Sequence, residues 1–110
     1  MTEAFVVLCT APEDEARGLA DQLLAERRIA CANLIGPVES RYRWEGKIET
    51  GREMVLLMKT TPEQREGLRA RIAELHSYSV PEVLELSVAG GLPDYLAWVA
   101  ASCQPGAADA

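Results

Sequence analysis

Two stretches fifty residues apart decide how this chain folds: AFVVLCTAPE at residues 4–13 and MVLLMKTTPE at residues 54–63. Each opens as a nearly continuous apolar run, the pattern of a strand covered on both faces or central in a sheet. Each then passes through a Thr-x-Pro-Glu group, Thr10-Ala11-Pro12-Glu13 in the first and Thr60-Thr61-Pro62-Glu63 in the second. Thr10 stands in capping-box spacing to Glu13. Thr61 is an N-cap candidate, with Pro62 at the first helical position and Gln64 at the box position. The repeat therefore predicts two strand-to-helix units of equal length.

Ala16, Leu19, Ala20, Leu23 and Leu24 fall on one stripe of the first helix. Acidic residues 13–15 at its start and Arg27 and Arg28 in its last turn suit the helix dipole. A second strand begins near Ala30, is broken or bulged at Gly36-Pro37, and resumes as Val38 to Trp44. Glu45-Gly46 reads as a hairpin turn, and Lys47-Ile48-Glu49 starts the return, with a further bulge or turn at Thr50-Gly51. Leu68, Ile72 and Leu75 stripe a second helix. Residues 76–81 read as a loop, Glu82 to Val88 as a fourth strand by alternation, and Pro93 to Ala101 as a short helix with Leu92, Tyr95, Leu96 and Val99 on one side. The expected organisation is one domain over residues 1–103 and a flexible C-terminal tail over 104–110.

This order, βαββαβ plus a C-terminal helix, fits the α+β split βαβ or ferredoxin-like sandwich. Right-handed crossovers place both helices on one sheet face. The other face is left bare, with one short helix to offer it, so sheet-to-sheet oligomerisation is expected. The hairpin at about 38–58 is longer than a small sheet needs; if it projects it pairs edge-to-edge with a neighbour, and the alternative is an ordinary bulged hairpin packed on its own chain.

The 110 residues make one domain of 12.0 kDa, 48% hydrophobic and 25% charged, which is globular composition. Seventeen acidic residues against eleven basic give a net charge of −6. That balance makes nucleic acid a poor partner. There is no run of 18 apolar residues to span a membrane and no signal-peptide pattern at the start. Cys9, Cys31 and Cys103 are odd in number and widely spaced, the pattern of free thiols in a reducing cytoplasm.

The segments VVLCTAPEDE (6–15), ERRIACANLI (26–35), SRYRWEGKIE (40–49), LLMKTT (56–61), HSYSVPEV (76–83) and LPDYLAWV (92–99) together resemble the CutA divalent-cation tolerance family. The resemblance runs to about Ser102. It implies a tight cytoplasmic homotrimer that shares its architecture with the PII signalling proteins and binds copper or other divalent ions without catalysis. In the family's metal-associated pattern, a Cys closes the first strand and two adjacent His precede Pro-Tyr. Cys9 and His76 match the Cys and the second His. Leu75 stands at the first His, and Ser77 stands at the Pro.

Thiolate and imidazole suit copper. Two such groups need a third donor: Met54, Met58, Glu82 or a group from another subunit. The plainer reading makes Cys9 a small buried hydrophobe and His76 a helix-end residue. Trp44, Tyr42, Arg41, Arg43, Lys59, Tyr78 and Glu82 could instead line a subunit cleft for a small, anionic ligand in the manner of a PII-like sensor. Tyr42 and Trp44 also suit an oligomer interface, and for Trp44 that is the favoured role. A third class is a stable scaffold whose link to metals is indirect. The sequence carries no P-loop, GxGxxG, HExxH, GxSxG or CxxC, so none of these motifs argues for an enzyme or a redox protein.

Overall fold

A computed structural model describes residues 3–105. The elements are β1 (Phe5–Pro12), α1 (Glu13–Ala25), β2 (Cys31–Trp44), β3 (Lys47–Thr60), a 3-10 turn (Pro62–Gln64), α2 (Arg65–Leu75), β4 (Val83–Ser87) and α3 (Pro93–Ser102). The sheet order is β2-β3-β1-β4 and every pairing is antiparallel. This is the expected α+β arrangement. The tail expected from residue 104 lies, from residue 106 on, outside the described residues.

Strand alternation sorts the side chains. Val7, Cys9 and Ala11 of β1, with Leu56 and Met58 of β3, turn toward the helices and are buried. They pack on Ala16, Leu19, Ala20 and Leu23 of α1 and on Leu68 and Ile72 of α2. Leu24, expected on the α1 stripe, is exposed instead. A second small cluster joins Ala4, Ala30, Val99 and Cys103, so α3 closes the other end of the sheet with Val99 while Leu92 and Tyr95 stay exposed. The opposite sheet face carries Leu8 in register with Leu57 and Leu84, and Val6 in register with Lys59 and Leu86. Among the described residues no helix covers Leu84 or Leu86, which are 56% and 48% exposed. The bare face expected from the crossovers is present.

Several local expectations are corrected. β1 runs on to Pro12 because Thr10, Ala11 and Pro12 pair with Val55, Met54 and Glu53. Thr10 is therefore a strand residue, and α1 starts behind Pro12 with no side-chain cap. Thr61 does precede a Pro at the first helical position, but it makes no side-chain cap either. The hydroxyl that works there is the neighbouring one, Thr60, which donates to the Arg28 carbonyl at 2.7 Å. Arg27 and Arg28 lie beyond α1. Arg27 takes φ +58, and the amides of Arg27 and Arg28 return to the carbonyls of Leu24 and Leu23 at 3.0 Å. That is the bonding of a Schellman stop, with arginine where glycine is usual.

The hairpin follows the sequence reading closely. A bulge lies between Ile35 and Val38, at Gly36-Pro37. Glu45 and Gly46, with φ of +48 and +79, make the two-residue turn, whose twist matches the flanking strands. No second break occurs at Thr50-Gly51, which pair regularly with Arg41 and Ser40. Fourteen-residue strands reach about 45 Å at roughly 3.3 Å per residue. The hairpin thus sets the 45 Å long axis of the molecule.

Arg71 of α2 clamps Glu26 with two bonds of 2.7 and 2.9 Å, and Gln22 adds a third. First through Arg71 and then through Gln22, the Glu26 carboxyl is lowered from 4.5 to about 2. A carboxyl lowered in the folded state contributes stability above its ordinary value and loses it as pH falls toward the folded one. Glu26→Gln should therefore be less stable than the parent at pH 6, and the gap should close between pH 4.5 and 2 in urea titrations. A gap that does not change with pH would contradict the assignment.

Candidate functional site

His76 ends α2, its amide held by the Ile72 carbonyl at 2.8 Å, and its side chain is fully buried. Nε2 lies 2.7 Å from the Thr10 carbonyl, and Nδ1 lies 3.1 Å from the Tyr78 amide. A carbonyl can only accept and an amide N–H can only donate, so the bonding assigns the proton to Nε2 and makes the ring neutral. His76 thereby pins the 76–81 loop to β1. Glu15 fastens the same loop by accepting from the Ser77 amide at 2.9 Å and the Ser77 hydroxyl at 2.6 Å.

Two residues on, Tyr78 tilts against the His76 ring at 4.6 Å between centroids. Its hydroxyl donates to Glu53 Oε2 at 2.9 Å. Burial first, and then the Glu53 bond, push the Tyr78 phenol up to about 12, so at neutral pH it stays a donor. Glu53 is only 7% exposed. The bond it receives comes from a neutral phenol and not from a cation.

Around this pair opens a cleft of about 600 Å³, within the usual range for small-molecule sites. The projecting hairpin forms one wall with Ser40, Arg41, Tyr42 and Trp44; the loop forms the other with Tyr78, Ser79, Val80 and Glu82; Thr10 and Glu53 lie between them. The structure thus brings together Trp44, Tyr42, Arg41, Tyr78 and Glu82. It does not bring Lys59 or Arg43 into that cleft. Lys59 sits far along β3, opposite Val6 and Cys31 on the bare face, and its ammonium donates to Asn33. Sequence reasoning missed Glu53. The only signal was a carboxylate directly before an apolar run, which pattern alone reads as a solvated strand start.

Cys9 and His76 converge on the Thr10 carbonyl. The Cys9 thiol lies 3.6 Å from it, and no part of Cys9 is exposed. Burial first, then Glu82, Glu53 and Glu15, raise the thiol from 9.0 to about 12, so an ion binding there would have to displace that proton. The imidazole lone pair is spent on the Tyr78 amide. Of the further donors considered, Met58 is buried in the core opposite Val7, and Met54 packs against that core opposite Ala11. Among the described residues no group of three or more His, Cys, Asp or Glu is placed to hold an ion. This donor set does not fit a ready-made copper site within one subunit.

A labelling experiment checks that environment. Iodoacetamide at about pH 8 should modify the buried Cys9 and Cys103 at least roughly tenfold more slowly than the same cysteines once denaturant is added. Equal labelling with and without denaturant by mass spectrometry would contradict the buried, raised thiol.

Comparison with known proteins agrees with this architecture. Residues 5–102 match the family model described as CutA1 divalent ion tolerance protein. The divalent-cation tolerance protein CutA of Pectobacterium atrosepticum is 42% identical over 103 residues, 93% of this chain and 94% of that protein. The divalent cation tolerance protein of Thermus thermophilus superposes with a TM-score of 0.84 at 41% identity, covering 87% of this chain and 94% of that one. The Nostoc protein described as PII-like CutA superposes at 0.87 with 32% identity, covering 91% and 97%. With its split βαβ fold, long hairpin and matched length, this chain belongs to the CutA1 family of divalent ion tolerance proteins.

Proposed function

We propose that this protein serves divalent-cation tolerance as a cytoplasmic, non-catalytic homotrimer, and that copper or another divalent ion bound by it draws donors from more than one subunit. The bare sheet face carries the proposal. Leu84 and Leu86, with Ile35 at 48% exposure, form an apolar surface on the side away from the helices. Fully covering each such side chain is worth about 1.5–3 kcal/mol. A second copy of the same surface is the natural cover, and closed symmetry is the usual result. Three free cysteines support a reducing compartment.

A PII-like role is the second reading, favoured by one observation. The cleft between hairpin and loop is lined by Tyr42, Trp44 and Tyr78 and holds Glu53 and Glu82. Aromatic walls with a few placed polar groups make a small-ligand site.

An anaerobic copper titration of the parent and of Cys9→Ala separates the possibilities for the ion. The proposal expects Kd values within about twofold of each other, because Cys9 is wholly buried in the core between sheet and helices, on the side away from the bare face where a second copy would add donors. A loss of tenfold or more in Cys9→Ala, about 1.4 kcal/mol, would overturn it and place the ion on the Cys9 sulfur.

A further inference from the structure

The cleft's chemistry also says what kind of small molecule it would hold. Formal charge inside it comes from Glu53, Glu82 and Arg41. Arg41 meets Glu39 at 3.0 Å in a solvent-exposed pair, and as one cation it is outnumbered by the two carboxylates. Glu53 is buried against the Tyr78 phenol, and Glu82 faces the cleft from the loop wall. The balance in the cleft is negative, in a chain already at −6. An anionic ligand would meet repulsion there.

The walls narrow the choice further. Tyr42, Trp44 and Tyr78 are 47%, 46% and 39% exposed, so ring area is open to the cleft and to solvent. The negative face of an aromatic ring attracts cations, and Trp and Tyr are the favoured partners of ammonium groups. A bare metal ion needs several donors in a shell, and no cluster of three or more such residues is present among those described. Rings, two carboxylates and the hydroxyls of Thr10, Ser40 and Ser79 suit a soft, bulky cation better.

We infer that the cleft between the 38–44 arm and the 76–82 loop binds a small organic ammonium ion, held by the faces of Tyr42, Trp44 and Tyr78 and by the Glu82 and Glu53 carboxylates. This rests on the small-ligand reading above and reverses the charge of ligand expected from sequence. The aromatic faces receive the alkyl groups around nitrogen. Glu82 supplies the accessible counter-charge, and the Tyr78–Glu53 bond fixes the floor.

The test follows the Trp44 indole N–H resonance during titration with tetramethylammonium chloride and, separately, methylammonium chloride. Sodium chloride at equal ionic strength is the blank, and sodium succinate and inorganic phosphate are the anion arms. Saturable shifts with at least one ammonium salt and none with either anion are expected. Glu82→Gln should weaken the response at least roughly tenfold, and Arg41→Gln should leave it unchanged or tighten it. Solution mass and copper binding are recorded on the same samples. A folded, assembled protein that gives no saturable shift with either ammonium, or saturates with phosphate or succinate, or binds equally well as Glu82→Gln, overturns the ligand class and leaves the tolerance proposal standing. A monomer that still binds ammonium supports the ligand class and overturns only the homotrimer.

Discussion

The register of β1 between β3 and β4 sorts the side chains of the subunit between two faces. Cys9 opposite Leu56 and Val83 turns inward, while Leu8 opposite Leu57 and Leu84 turns outward. A slip of one residue would exchange the two sets. Both long helices are spent on the inward face, so the outward one is left apolar and uncovered. The same register carries Thr10 past the end of the expected strand, where its carbonyl becomes the anchor for His76. The core, the bare face and the loop beside the cleft thus share one cause.

That anchoring changes what Cys9 and His76 can do. Sequence proximity to a family pattern makes them a ligand pair. In the folded subunit they meet at a backbone oxygen, with the imidazole's proton and lone pair both committed to the main chain. Burial first, and then the acidic groups Glu82, Glu53 and Glu15, push the thiol up to about 12. His76 acts as the peg that positions Tyr78, and Tyr78 satisfies the buried Glu53. The polar chain runs from β1 through the loop to the cleft floor.

The architecture was largely legible in the sequence, because it rests on period and punctuation. Apolar runs at 4–9 and 54–58, the break at Gly36-Pro37 and the turn at Glu45-Gly46 each act locally. Capping was misread because Thr-x-Pro-Glu looks the same whether the threonine leaves a strand or starts a helix, and pairing with Val55 kept Thr10 in the strand. The cleft was legible in its aromatics, Tyr42, Trp44 and Tyr78, which composition picks out. Lys59 lies outside the cleft of this chain because strand register sets it against Cys31, at the far end of the hairpin from Trp44. Glu53 was missed because its burial comes from a loop phenol that no sequence pattern links to it.

Closure of the uncovered face by copies of the same chain, as proposed above, is read by the solution mass of the parent and of Leu84→Glu in light scattering. The account predicts about three times the 12.0 kDa chain mass for the parent. A folded species near the single-chain mass is expected for Leu84→Glu, which puts a charge among the apolar side chains of the bare face on the edge strand β4. A parent that remains at single-chain mass at tens of micromolar, or a Leu84→Glu protein that stays fully assembled, would contradict it.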